Sequence, residues 1–360
     1  MSTNLYSIIT GTGKYIPEKI IQNKDYSNHE FYDASGTKLN KTSAEIVDKF
    51  EQITDIKERR HVTENLVTSD IGFLAAEQAL QSCNADKEEL DYIIVAHNFG
   101  DVKANNKRSD FVPSIAARIK HKLGIKNPYT VAYDLPFGCA GWLQGLIQAD
   151  YYLKSGDAKK IMVIGAEVLS RISDPHDRDS LLYADGAGAV LAEATQSESP
   201  IGILAHNTRS DTLECAHLLR MDKSNNQAYE GEELFLKMEG RKLYEYALKT
   251  VPSAIMQCLE KAKVPIQSVA KVLIHQANGK MDDAILKRLY NLYDLPEVPE
   301  NIMPMTISWL GNSSVATIPT LLDLLLNNQL QNHQVNPGDV IVFASVGAGM
   351  NINSVIYRLP

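Results

Sequence analysis

Short apolar runs alternate with longer segments of helical periodicity in the middle of the chain, and this alternation constrains the fold more than any other feature. Runs that begin at Leu90, Tyr129 and Lys159 are rich in Ile, Val and Ala, which favours strands. Between them, residues 114–124 and 139–156 repeat apolar side chains at helical spacing and end in glycine, which predicts helices. Strands this apolar are typical of a sheet covered on both faces, so the pattern predicts an α/β fold with a buried parallel or mixed sheet.

The C-terminal half repeats this order of elements. Helices are predicted over 240–262, 281–293 and 317–330, and strands over 271–276 and 339–349. Both halves place a reactive type of residue at the end of a strand, which suggests an internal duplication. The polar stretch from Ala194 to Gly202 is the best place for the break, so we predict two similar halves, 1–195 and 196–360.

Composition excludes several classes of protein. A net charge of -8 over 360 residues argues against a general nucleic-acid binder. Four cysteines without CxxC or Cys/His spacing argue against a zinc site or a disulfide framework. No apolar run approaches the roughly 20 residues that span a bilayer, and no signal peptide is recognisable, so we expect no membrane insertion and a location in the reducing cytoplasm.

The stretch GTGK, residues 11–14, looks like part of a phosphate-binding loop. Such a loop requires Ser or Thr after the lysine, and Tyr15 follows here. We therefore predict only a turn after the first strand.

The segment DLPFGCAGW places Cys139 between a predicted strand and a predicted helix, behind a bend that Pro136 and Gly138 allow. The free N–H groups and the dipole of a helix start favour an anion, which would lower the pKa of the thiol and make it nucleophilic. Free cysteines are also among the most frequently buried residues. The residue alone therefore leaves a nucleophile and an inert core cysteine equally open.

Three further positions are candidates for chemistry. His275 ends the predicted strand VLIH, where α/β folds build ligand sites, although a lone strand-end histidine is more often structural. Asn312, in the turn GNSS, either caps the next helix or donates to a developing oxyanion. The glycine-rich stretch 345–351 either presents backbone N–H groups to a thioester carbonyl or is only a tight turn.

Together these motifs resemble the β-ketoacyl-acyl-carrier-protein synthase III family, which belongs to the condensing enzymes of the thiolase superfamily. The matches occur in the order of the family over nearly the whole chain. They are GTGKYIPE at 11–18, GCAG around Cys139, DPHDR at 174–178, DGAGAV at 185–190, HQAN at 275–278, GNSSVATIP at 311–319 and GAG at 347–349.

The resemblance implies a thiolase fold of two similar halves in five layers, α-β-α-β-α, and a homodimer. It implies Cys139 as the acyl acceptor, with His275 and Asn312 polarising the thioester carbonyl of the second substrate. The N–H groups of Cys139 and Ala348 would form an oxyanion hole. The reaction implied is a Claisen condensation in fatty-acid or related lipid or polyketide biosynthesis, with acyl-CoA or acyl-carrier-protein thioesters as substrates and no metal or other cofactor.

Basic residues after HQAN suggest a docking surface. Lys280, Lys287 and Arg288 share or adjoin one face of a predicted helix, and matching positions in the family dock the acidic acyl carrier protein. A solvated charged face is the alternative. Arg178 lies within the motif DPHDR, which matches the family, and is a further candidate for substrate binding.

The chain also departs from the family pattern. Lys49 and Ile53 occupy the positions at which an aromatic ring and an arginine usually clamp the adenine of CoA, which favours a carrier-protein-bound donor. Residues 29–43 and 97–114 form longer segments than usual. These departures suggest a ketosynthase that joins two carrier-bound chains, as in dialkylresorcinol formation. A thioester hydrolase or other acyltransferase on this scaffold is a second alternative, and a non-catalytic carrier-binding module a third.

Overall fold

The computed structural model describes residues 4–360. The strands are β1 Asn4–Tyr15, β2 Lys19–Gln22, β3 Glu58–His61, β4 Tyr92–Ala96, β5 Asp101–Lys103, β6 Asn106–Asp110, β7 Val131–Leu135, β8 Lys160–Val168, β9 Asp185–Ser197, β10 Gly202–Ser210, β11 Leu219–Asp222, β12 Phe235–Met238, β13 Val269–Ile274, β14 Val340–Gly347 and β15 Asn351–Arg358. The α-helices are α1 Ser43–Thr54, α2 Thr68–Ser82, α3 Ile115–Leu123, α4 Gly141–Ser155, α5 Thr212–Cys215, α6 Gly240–Ala262, α7 Gly279–Asn291, α8 Ile307–Leu310 and α9 Thr317–Leu326.

The elements predicted from periodicity are present, with ends shifted by a few residues. Capping explains two of these ends. The Ser114 side chain accepts a hydrogen bond from the N–H of Ala117 and starts α3, and Gly124 ends it with a left-handed φ of 64°. Gly156 ends α4 in the same way, with φ 82°.

The prediction of a turn at GTGK is wrong, because these residues lie inside β1 and pair with β9. The glycines are needed for packing rather than for turning. A Cβ at Gly13 would lie 2.3 Å from the Ala75 carbonyl oxygen, and one at Gly11 would lie 2.6 Å from that of Ala79. Helix α2 therefore rests directly on the backbone of this strand.

Two sheets of the same topology form the scaffold. The first has the order β1-β9-β8-β4-β7 and the second β10-β15-β14-β13. In each sheet the first three strands pair antiparallel and the next pair, β8 with β4 or β14 with β13, is parallel. The second sheet thus repeats the first without a counterpart of β7, as an internal duplication would produce.

The helices and sheets form the five layers that the resemblance implied. Helices α2 and α3 cover the outer face of the first sheet, and α6 and α7 cover the outer face of the second. Between the sheets lie α4 and α9, in one core cluster with strands of both. Adjacent strand residues take opposite sides, since Ile94 joins this central cluster while Ile93 and Val95 face α2 and α3.

The strands of the two sheets separate along the chain between β9 and β10, close to the predicted boundary. Helix α9, from the C-terminal half, nevertheless packs on β1 and β9 of the first sheet. The division into 1–195 and 196–360 as domains stays a prediction.

Candidate active site

The predicted catalytic side chains meet at one cavity of about 760 Å³ between the two halves. Cys139 lies in a short 3-10 turn that leads from β7 into α4, and His275 follows β13 directly. Asn312 lies in the loop between α8 and α9. All three line the cavity, as does Ala348 in the turn after β14. The sequence therefore selected residues that the fold brings together.

Two glycines allow the Cys139 turn and the Ala348 turn to touch. Gly138 has a left-handed φ of 61°, and a Cβ there would lie 2.4 Å from the N of Ala348. A Cβ at Gly347 would lie 2.3 Å from the N of Cys139. Side chains at either position would separate the loops, so these glycines set the distance between the two backbone N–H groups.

The Cys139 thiol does not have the lowered pKa that its position before a helix predicted. Burial raises the pKa of this thiol to about 11, and the buried Glu167 nearby acts in the same direction. The Ser314 hydroxyl donates to Cys139 Sγ at 3.3 Å and lowers the pKa. The prediction considered only the helix start and missed the desolvation that comes with the interior cavity.

The Asn312 side chain is held in one orientation. Its Oδ1 accepts a hydrogen bond of 2.8 Å from the backbone N–H of Ser314. The amide nitrogen of Asn312, which has two hydrogens, therefore remains available on the other side of the group. Asn312 is not a helix cap, since α9 begins five residues later and shows no side-chain cap.

The imidazole of His275 is neutral. Burial lowers the pKa of its imidazole to about 4, so the ring is uncharged at neutral pH. Its Nδ1 is buried without a hydrogen-bond partner among the described residues. Since the side chain lines the cavity, Nε2 is the nitrogen that can reach a ligand there.

Sequence reasoning missed three residues beside the thiol. Ser314 lies in the turn GNSS but is not among the residues predicted from the sequence. Asn98 follows β4 by two positions and lines the cavity, and Glu167 lies in the apolar strand β8 with none of its surface exposed. A charged residue inside an otherwise apolar strand is the signal that could have found Glu167.

Most of the remaining cavity wall is apolar. It includes Phe50, Phe99, Leu169, Leu182, Leu236 and Met238, which pack in one cluster beside the cavity. The volume is within the usual range for a small-molecule site. An apolar chamber of this kind, with a thiol and polar donors at one place, suits a thioester with an aliphatic acyl group.

Comparison with known proteins agrees with this geometry. Residues 133–212 match the family model of 3-oxoacyl-[acyl-carrier-protein (ACP)] synthase III, and residues 259–359 match the model of its C-terminal part. The chain is 32% identical over 356 residues to the β-ketoacyl-[acyl-carrier-protein] synthase III of Ehrlichia canis, covering 98% of this chain and 99% of the relative. The enzyme of Paracoccus denitrificans gives the same identity, with 98% and 99% coverage.

The chain belongs to the β-ketoacyl-[acyl-carrier-protein] synthase III family. It is a condensing acyltransferase with the thiolase fold.

Solved structures of this synthase family support the assignment. The crystal structure of 3-oxoacyl-[acyl-carrier-protein] synthase III from Aquifex aeolicus is similar with a TM-score of 0.79 and 30% identity, covering 98% of this chain and 99% of that one. The priming β-ketosynthase of the R1128 polyketide pathway gives a TM-score of 0.79 at 25% identity, with 100% and 98% coverage.

In this synthase, basic residues surround the mouth of the cavity. Arg178, Lys49 and Lys41 are exposed and line it, and so does Ile53. Lys280, Lys287 and Arg288 lie outside the cavity, exposed on α7, whose capping residue Asn278 borders it. No ion pair involves these three residues among those of the described chain. No helix of residues 4–360 is both long and apolar enough to cross a membrane.

Proposed function

We propose that the enzyme performs a Claisen condensation through an acyl-thioester on Cys139, with His275 and Asn312 as the other catalytic residues. The observation that carries this proposal is the convergence of the three side chains on one apolar cavity. A fixed amide and a neutral imidazole beside a thiol match the two half-reactions of a condensing enzyme.

In the first half-reaction, the Cys139 sulfur attacks the carbonyl carbon of an incoming thioester. The bond from that carbon to the donor sulfur breaks, and the carrier leaves as a thiol that takes the proton lost by Cys139. Negative charge develops on the carbonyl oxygen. The N–H groups of Cys139 and Ala348, brought together by Gly138 and Gly347, donate to it as an oxyanion hole.

In the second half-reaction, a malonyl thioester loses CO2 and becomes an enolate. The amide nitrogen of Asn312 and the imidazole of His275 donate to the enolate oxygen, and both donors are neutral. The enolate carbon attacks the acyl carbon on Cys139, and the thiolate leaves. The product is a β-ketoacyl thioester. No metal or redox group enters these steps, so we propose that the enzyme uses none.

The mouth of the cavity supports a carrier-protein-bound substrate. Names of the matched relatives include the acyl carrier protein. The exposed Lys280, Lys287 and Arg288 give an acidic enzyme a local basic surface for an acidic partner, and Arg178 can bind the phosphate of the carrier arm. The family favours condensation over hydrolysis, and a dialkylresorcinol pathway stays a prediction.

We also propose a homodimer in the cytoplasm. Strand β7 lies at an edge of the first sheet, and Val131 on it is 48% exposed. Phe111 packs against His97, which lies 2.9 Å from Asp134 of the same strand, and Phe111 and Val112 are 45% and 85% exposed. An exposed apolar edge strand promotes aggregation unless a second copy of the protein covers it. A monomer in sedimentation experiments would contradict the proposed dimer.

The cysteines support the proposed location in the cytoplasm. All four are free, as is usual in a reducing compartment.

The proposed function is tested by mass spectrometry of the intact protein after incubation with acyl-CoA and acyl-carrier-protein donors. We expect an acyl adduct that disappears in Cys139→Ala. Asn312→Asp keeps the oxygen that holds Ser314 but loses the N–H donors, so it should acylate and fail to condense with a malonyl thioester. Full condensation activity in Cys139→Ala would contradict the mechanism.

A further inference from the structure

A chain of hydrogen bonds connects the Cys139 sulfur to a buried carboxyl group. The Ser314 hydroxyl donates to Cys139 Sγ at 3.3 Å. The side-chain nitrogen of Asn98 donates to Ser314 Oγ at 3.4 Å and to Glu167 Oε2 at 2.7 Å. The backbone N–H of Asn98 donates to the same carboxyl oxygen at 3.1 Å. These hydrogen bonds therefore connect strand β8 with the loop after β4 and with the loop before α9.

The carboxyl group of Glu167 decides which atom is donor and which is acceptor in each of these hydrogen bonds. Burial raises the pKa of Glu167 to about 7. The backbone N–H and the side-chain nitrogen of Asn98 both donate to this carboxyl group, which accepts all of these bonds in its ionised form, so the Asn98 amide turns its nitrogen, not its oxygen, toward it. That nitrogen has one further hydrogen, which it gives to Ser314. The Ser314 oxygen is then an acceptor from Asn98, and its own proton is left to point at the Cys139 sulfur.

Ser314 is held in place at a cost in backbone conformation. Its φ of 54° lies in the left-handed region that residues with a Cβ rarely adopt. The bond from its N–H to Asn312 Oδ1 holds it there. Backbone strain of this kind persists where the surrounding structure fixes it, often at functional sites.

Glu167 is placed to orient the Asn98 side chain. It is not placed to remove the proton of the Cys139 thiol. The route from its carboxyl group to the sulfur passes through the Asn98 amide, which keeps its hydrogens at neutral pH. The nearby His97 lies 2.9 Å from Asp134 and pairs with that residue instead. Other titratable groups in the cavity wall include Tyr183, whose hydroxyl has no partner among the described residues, His275, and Asp179 beside Arg178.

We propose that Asn98 is a positioning residue that, anchored by Glu167, holds the Ser314 hydroxyl as a hydrogen-bond donor to the Cys139 thiolate. A donor fixed in this way stabilises the thiolate against the desolvation of the cavity. The proposal depends on the proposed function only in taking Cys139 as the acyl acceptor.

The test is the rate of Cys139 alkylation by iodoacetamide as a function of pH, followed on the peptide that contains Cys139. Ser314→Ala should slow alkylation at neutral pH by roughly tenfold and move the midpoint to higher pH, because a hydrogen bond to a charged group is lost. Asn98→Leu should shift it in the same direction. The double variant should add nothing, since Asn98 acts through Ser314. Ser180→Ala is the control, because the Ser180 hydroxyl is buried without a partner among the described residues and lies outside the cavity wall.

Glu167→Gln separates orientation from proton removal. Glutamine keeps an acceptor for Asn98 and loses a negative charge that opposes the thiolate, so the midpoint should move to lower pH. A slower reaction in this variant would identify Glu167 as a base and overturn the proposal. So would a wild-type profile in Asn98→Leu, or an additive double variant. Asn98→Ala replaces Asn98→Leu if the latter does not fold by circular dichroism.

The acylation experiment keeps this inference separate from the proposed function. Acyl transfer to Cys139 together with an unchanged alkylation profile in Asn98→Leu would overturn only the positioning role. Absence of acyl transfer to wild-type Cys139 would overturn the proposed function, whatever the alkylation profiles show.

Discussion

Burial lowers the pKa of His275 to about 4 and raises that of Cys139 to about 11. Both groups are therefore uncharged at neutral pH before substrate arrives, and they do not form the thiolate–imidazolium pair of many cysteine enzymes. In the proposed mechanism, stabilisation of charge during the reaction then depends on fixed neutral donors. The contact from Ser314 Oγ and the oriented amide of Asn312 are two of these.

The shifted pKa of His275 predicts how stability depends on pH. The unfolded histidine takes up a proton near pH 6.5, whereas the folded one stays neutral to about pH 4. Folding therefore loses stability as the pH falls through this window. The variant His275→Gln lacks this titrating group. When the pH is lowered from about 6.5 to about 4.5, its free energy of unfolding should therefore fall by about 2 kcal/mol less than that of the wild type.

Urea unfolding at the two pH values measures this difference. His333→Gln is the control, because burial lowers the pKa of His333 as well but this side chain is only half-buried. An equal loss of stability in wild type and His275→Gln would show that His275 is charged in the folded protein.

At the scale of elements, the site depends on turns whose backbones touch. Gly347→Ala introduces a Cβ that would lie 2.3 Å from the Cys139 nitrogen. We expect a loss of about 1–3 kcal/mol in unfolding free energy from overpacking. Acyl transfer should fall by roughly 100-fold or more, because one donor of the proposed oxyanion hole is displaced.

Gly156→Ala is the matched control for this variant. Gly156 ends α4 with φ 82° and has open space around its Cβ position. The alanine strains the backbone without approaching the site. Stability should therefore fall while the rate of acyl transfer to Cys139 is kept. A wild-type rate in Gly347→Ala would contradict the role of these turns.

Elements with a clear period could be predicted from the sequence, since helices and strands follow local patterns of apolar residues. The structure of GTGK could not be predicted in this way. Its glycines are required by contact with Ala75 and Ala79 of α2, more than 60 residues away along the chain. The same limit applies at the site. Cys139, His275 and Asn312 belong to recognisable motifs, whereas the role of Asn98 arises only from contacts with Glu167 and Ser314.

At the scale of the whole molecule, the two halves use equivalent positions differently. Strands β4 and β13 occupy matching places in their sheets, and a histidine follows each directly. His97 lies 2.9 Å from Asp134, and its Nδ1 accepts a hydrogen bond of 3.1 Å from the N–H of Gly100. His275, by contrast, has no partner for its Nδ1 among the described residues and faces the cavity. The repeated topology thus places a histidine at two equivalent positions, of which the second lines the cavity.

The carrier protein should approach the face of the molecule that carries α7. Reversing charge with Lys280→Glu and Lys287→Glu should raise the KM for an acyl carrier protein by roughly tenfold at low salt, with kcat nearly unchanged, because these exposed charges steer the partner. The effect should shrink as salt screens it. Lys126→Glu and Lys159→Glu form the control, since both precede the amino ends of parallel strands, opposite the site. An equal rise in KM for both pairs would show that net charge, and not this face, attracts the carrier.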